Sequence, residues 1–289
     1  MAKRSARATA KEARRSRPQP RKRQAAARPW GWVDVVWVGI TLLIAKVLIV
    51  LTLGHPFTAL MPADGVVGVR IVLLIVFYLF ILMVLAYRAH CRNMSFAEAY
   101  RLDPRKADDY VLAREEARSD VAENLEKSGG VRTAHRPAYF SWWKSALAVV
   151  GFFLVLRTFA VLYTYVTGQL GWVTPPSESL TDLFGTTLWG LAAAIISIMV
   201  LAPFIEELVF RVVMFESFAR KMPIIVAAIV QALIFSLYHF SLWAALPNFL
   251  LALACVYLML KCRTSLPAIF LHVLYNSAVV VAAFYVASL

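Results

Sequence analysis

The chain has 289 residues, 61% of them hydrophobic, with a mean hydropathy of +0.68 and a formal net charge of +13. An average soluble domain is about 45–50% apolar, so an ordinary soluble enzyme is excluded and a polytopic helical membrane protein is expected. Cys91, Cys255 and Cys262 imply no disulfide framework, and CxxC metal spacing is absent.

The basic charge is unevenly placed. Residues 1–29 hold eleven Lys or Arg against one acid, Glu12, and little apolar content, so a disordered tail is expected. The tail has no signal-peptide pattern, because the apolar run after it is too long and no small-residue cleavage site follows. It reads as a cytoplasmic determinant that also attracts anionic lipid; nucleic acid is not expected as a partner.

Apolar segments then run over 33–54, 67–89, 143–167, 185–205, 223–240, 244–260 and 266–287. Most approach the roughly 20 residues needed to span a bilayer; 244–260 is short. The 55–66 and 168–183 connections carry no Lys or Arg, whereas 88–144 carries eleven against nine acids. The expectation is an all-α bundle of about seven transmembrane helices, N-terminus inside and C-terminus outside, in the cell membrane. It divides into the tail 1–29, helices over 30–184 with the cytoplasmic loop 88–144, and a last group of helices over 185–289. Within the loop, Ser95 to Glu126 reads as one or two polar helices broken at Pro104 and ended at Gly129-Gly130.

Charges inside the apolar segments need sorting. Asp34 and Arg70 lie near segment ends and can snorkel. Lys46 and Arg157 lie deeper; each has an interior, a paired and an interfacial reading, and the sequence does not rank them. No internal repeat is evident.

The densest charge cluster is Leu201-Ala-Pro-Phe-Ile-Glu206-Glu207-Leu-Val-Phe-Arg211. An ionisable group at membrane depth costs at least a few kcal/mol, which marks it as functional by default. On a helix Glu207 and Arg211 share a face and can pair. Glu206 points about 100° away with no partner within a turn. A desolvated, unpaired carboxylate is expected to have a raised pKa, which suits a general base or a metal ligand. The plainer reading puts both acids in the headgroup layer.

Two later clusters converge on the same place. Phe235 and His239 are four apart, as are His272 and Asn276. A lone histidine in an apolar helix is usually a packing residue; three polar clusters on successive segments are harder to dismiss. Glu206 and His239 are nearly equidistant from the turn at Lys221-Met222-Pro223, each about 25 Å from it if the helix of Glu206 runs on to about Ala219. They should therefore lie level. His272 and Asn276 climb about 9–15 Å from Leu266, so the site is expected within the membrane near the inner face.

Glu206-Glu207-x-x-x-Arg211, Phe235-x-x-x-His239 and His272-x-x-x-Asn276 together resemble the three-motif signature of the CPBP family. That family comprises the CAAX-processing type II prenyl endopeptidases and the bacteriocin-immunity (Abi) proteins. The resemblance covers about 185–287. Two positions depart from the family pattern: Val212 follows the motif arginine, and Leu250-Leu-Ala-Leu-Ala254 stands where a small Gly position is common.

The resemblance implies an intramembrane endopeptidase acting on membrane-embedded or membrane-anchored, CAAX-type peptides. Glu206 with His239 would activate water, and His272 and Asn276 would donate to the oxyanion. Glu207 with Arg211 would orient the site or hold a substrate carboxylate. Glu206, His239 and His272 form an acceptable zinc shell; a metal-free, glutamate-dependent route is the alternative. A catalytically idle scaffold or immunity-type protein, and a proton- or solute-coupled transporter, are the rival classes.

Overall fold

The computed structural model describes residues 30–53, 63–104, 141–172 and 180–288, and the regular structure in them is all helical. The elements are α1 (Trp32–Leu53), α2 (Ala63–His90), the single turn α3 (Phe96–Ala99), α4 (Trp142–Gln169) and α5 (Leu180–Phe184). They continue as α6 (Leu188–Ala219), α7 (Ile224–Tyr238), α8 (Leu242–Cys262) and α9 (Leu266–Ala287). Helices are the only open-ended way to satisfy every backbone N–H and C=O without water, which is why long apolar runs fold this way. Five spans are long and apolar enough to cross a membrane: Val67–His90 within α2, and all of α4, α6, α8 and α9. The apolar helices Trp32–Ala45 and Ile224–Tyr238 are shorter. Outward faces carry exposed Val36, Trp37, Ile40, Leu154, Val155 and Ile225, as expected of helices solvated by lipid.

The axis of the bundle is α6, and it differs from the expected segment 185–205. The helix does not stop there but continues to Ala219. Two π-helical stretches, Ile195–Leu201 and Leu208–Phe215, flank an α-helical turn over Ala202–Glu207. π turns concentrate at functional sites, where the extra residue re-aims side chains. Every residue from Leu208 to Phe215 is buried, because α1, α7 and α8 pack around that half of α6. The other half meets α2 and α9. Segment 244–260 also proves longer than expected: α8 runs from a Ser241 cap through an internal Pro247 to Cys262.

Three contacts place the site-bearing helices. Val149 and Leu156 of α4 pack with Leu251, Cys255 and Leu258 of α8 and with Leu271 and Tyr275 of α9. The connection after α3 docks on the turn before α9: Ser265 Oγ donates to the Tyr100 carbonyl and Thr264 Oγ1 to the Arg101 carbonyl, both at 2.7 Å. Gly190, at the start of α6, sits so close to the end of α5 that a Cβ there would lie 2.1 Å from the Phe184 carbonyl oxygen. No side chain fits.

Two expectations change here. Asp34 does not snorkel; it is buried and ion-paired with Arg88 and Arg92, and accepts from its own helix start at Gly31 N, 2.8 Å away. The polar helix expected from Ser95 lasts one turn, capped by Ser95 and Glu98, before Arg101 turns left-handed at φ 55°. Tyr100, stacked on Trp30, donates to the Leu85 carbonyl at 2.9 Å, and burial pushes its phenol well above the ordinary tyrosine value. The basic tail 1–29 and the loop beyond Pro104 lie outside the described residues.

Candidate active site

Glu206 and Glu207 leave α6 in different directions, as adjacent helical residues must. Glu207 is fully buried and joins two elements. Its Oε1 accepts from His272 Nδ1 at 2.8 Å, and its Oε2 lies 2.9 Å from Arg211 Nε. The second contact is an ion pair whose angles fall outside those of a directed hydrogen bond. Arg211 is itself fully buried, its guanidinium 4.2 Å above the Phe235 ring, and its Nη1 and Nη2 meet no hydrogen-bond partner. The neighbouring carboxylate balances the charge of this buried group. Of the two roles expected for the Glu207–Arg211 pair, orienting the site or holding a substrate carboxylate, full burial of Arg211 agrees with the first.

Glu206 faces a cavity instead. Its side chain is 12% exposed, and its Oε2 lies 3.8 Å from His239 Nε2 and 3.8 Å from His272 Nε2. His239 is not inside α7 but caps its C-terminus, and Phe240 after it turns left-handed. That position explains its tautomer. The last carbonyls of a helix lack partners, and His239 Nδ1 lies 2.8 Å from the Phe235 carbonyl oxygen, which can only accept. The Nδ1–H is thus spoken for, and Nε2 is the ring nitrogen that faces Glu206. Glu207 does the same for His272. Each imidazole is therefore oriented through its far nitrogen. Asn276, one turn after His272, donates from Nδ2 to the Ile198 carbonyl in the first π stretch at 3.0 Å, leaving its second amide N–H to the cavity.

The cavity measures about 440 Å³ and takes in Glu206, His239, His272 and Asn276. A narrower one of about 170 Å³, lined by Ile71, Leu74, Phe77 and Tyr78 of α2, meets it at Glu206, Tyr78 and Ile198. Residues that sequence reasoning did not place here are Tyr78, Tyr238, Asn248, Tyr275 and Arg157. Tyr275 lies inside the His272-x-x-x-Asn276 motif, and Arg157 carried a usable signal as a charge in mid-span. Tyr238 likewise lies inside the Phe235-x-x-x-His239 motif, whereas Tyr78 carried no signal, being an aromatic in an apolar run.

The donor chemistry suits zinc: two imidazole Nε2 atoms and one carboxylate oxygen converge, with the far nitrogens held by an outer carboxylate and a carbonyl. The spacing does not. Ligand atoms of a tetrahedral zinc shell lie about 3.3 Å apart, against 3.8 Å for both Glu206–histidine pairs. Among the described residues no group of three His, Cys, Asp or Glu is arranged to hold a metal.

Residues 187–278 match the family model described as Type II CAAX prenyl endopeptidase Rce1-like. The matched stretch, about a third of the chain, is similar to that family's domain. No curated protein and no solved structure matches the chain. The match starts at the cap of α6, spans α7 and α8, and ends in α9, so it contains Glu206, Glu207, Arg211, His239, His272 and Asn276 but not Arg157. Five helices long and apolar enough to cross a membrane make this a multi-pass membrane protein, and three of them, α6, α8 and α9, carry the stretch similar to the endopeptidase family. The two departures from the CPBP pattern, Val212 and Ala252, are fully buried in the main core and neither lines the cavity.

Proposed function

We propose that the protein is an intramembrane endopeptidase that hydrolyses peptide bonds of membrane-associated substrates with a water activated by Glu206 and His239. The observation that carries this reading is the pair of 3.8 Å separations around one carboxylate oxygen. They are too long for direct hydrogen bonds and leave room for a water between the groups.

That water would donate one hydrogen to Glu206 and the other to the lone pair of His239 Nε2, leaving an oxygen lone pair for the scissile carbonyl. As the C–O bond forms, Glu206 takes the proton; as the C–N bond breaks, Glu206 returns it to the leaving amine. The oxyanion would be met by the second amide N–H of Asn276 and by His272 carrying both ring protons, its charge balanced by Glu207 at 2.8 Å.

The test is hydrolysis itself. Purified protein is incubated with membrane peptides, prenylated and unprenylated CAAX sequences among them, with and without a chelator. Products are read by mass spectrometry, and bound metal is measured separately. Cleavage that survives complete metal removal supports the glutamate route, and cleavage lost and restored by zinc supports the metal route. No cleavage of any peptide would overturn the reading.

The same reading places α1 and α7 across the membrane with the five longer spans, giving seven crossings with the N-terminus inside. An added cysteine at 60 or 175 is then expected to react with an impermeant maleimide from outside, and cysteines within 100–130 only from inside. Labelling of 175 from the cytoplasm would overturn the count.

A further inference from the structure

Arg211 is sealed, yet another guanidinium faces the cavity. Arg157 sits in the middle of α4, and with Ala160 and Thr164, three and seven residues on, it forms one stripe of the cavity wall. The packing of Leu156 against α8 and α9 turns this stripe inward. The guanidinium carbon lies 5.3 Å from the centre of the Tyr275 ring, so Arg157 reaches the segment between His272 and Asn276.

Among the described residues Arg157 has no anionic partner. Asp34 is taken by Arg88 and Arg92, Glu216 by Arg101, and Glu207 by Arg211. Arg157 makes no ion pair in this set, and Glu206 in the same cavity faces the two histidines instead. The Tyr275 ring face offsets part of the cost of a guanidinium in mid-span, and an anion visiting the cavity would offset more of it.

The geometry points to Arg157 as an anion subsite that binds a carboxylate of the peptide substrate, on the α4 side of the scissile bond. A guanidinium presents a planar fork that matches a carboxylate with two parallel hydrogen bonds. A carboxylate is also the anion a peptide carries, at its C-terminus or on an acidic side chain. The Arg157 charge would then serve two ends: drawing the acid into the cavity, and fixing which bond lies over Glu206. This rests on the hydrolase reading above and names a chemical feature of its substrate.

Binding is the readout, because it separates the two readings. The full-length protein with Glu206→Gln, in detergent, is titrated into three dansylated apolar pentapeptides: a free acid, its C-terminal amide, and that amide with one internal Glu. The expected result is that the free acid, the Glu-containing amide or both bind about 10–100-fold tighter than the neutral amide. Which of the two does so identifies the source of the carboxylate. Adding Arg157→Gln should remove that advantage and leave the neutral amide unchanged, while Arg157→Lys should keep part of it. Equal binding of all three peptides with Arg157 intact would overturn the subsite without needing any variant. So would an Arg157→Gln protein that weakens all three alike, which is the mark of a structural role. A protein that discriminates acids and yet cleaves no peptide with Glu206 restored would overturn the hydrolase reading alone.

Discussion

Glu206→Gln is expected to abolish peptide hydrolysis while leaving the folded protein intact. The substitution keeps size and polarity at a side chain that faces a cavity, and it strands no partner, since the nearest imidazole nitrogens are 3.8 Å away. An amide cannot take the proton of the attacking water, so the loss should fall on kcat, by about 10²–10⁴-fold or to background. KM for peptide should change little. The check is a pair of measurements on one preparation: steady-state cleavage and thermal melting in detergent. A Glu206→Gln protein that cleaves at half the wild-type rate would sink the proposed chemistry. One that melts far below wild type would show that Glu206 carries structural weight its surroundings do not reveal.

The adjacent acid should behave in the opposite way. Glu207→Ala leaves Arg211 charged and fully buried, with Nη1 and Nη2 already lacking hydrogen-bond partners, and it strips His272 of its Nδ1 acceptor. Breaking one half of a buried ion pair costs about 3–5 kcal/mol. In a chain of this size each kcal/mol corresponds to roughly 2–4 °C, so melting should fall by about 10 °C. The double variant Glu207→Leu/Arg211→Met removes both charges and should recover most of the stability, since apolar replacement of a buried pair is often neutral. Activity should stay low in the double variant, because His272 is still unanchored. If the double variant melted as low as Glu207→Ala, the pairing scheme would be wrong. If it regained full activity, the orienting role of Glu207 on His272 would be wrong.

The contrast between these two acids shows how far the residues themselves speak. That Glu206 and Glu207 diverge, and that Glu207 meets Arg211 four residues on, follows from the helical period. That Glu206 and His239 are level follows from a short turn and a constant rise per residue; the structure has them 3.8 Å apart. The level of His272 follows only loosely, at about 9–15 Å from the start of α9 against about 25 Å for Glu206 from its own turn; the structure brings its Nε2 to 3.8 Å from Glu206. Hydropathy fixes where the long helices are, because in lipid the chain has no other way to bury its backbone.

Other features depend on how each helix is rotated about its own axis. A membrane helix is apolar on nearly every face, so its pattern does not say which face meets a neighbour. The contact of Glu207 with His272, the inward turn of Arg157 and the approach of Tyr78 to Glu206 were all undetermined for that reason. Asp34 looked like a residue able to snorkel until Arg88 and Arg92, more than fifty positions later, closed over it. The run of α6 past 205 to Ala219 likewise depends on π stretches held in place by the helices packed around them. By itself the sequence determined which polar groups share a depth, because rise per residue is a local property. Only the tertiary structure decided which of them touch, since rotation and approach are set by packing between elements far apart in the chain.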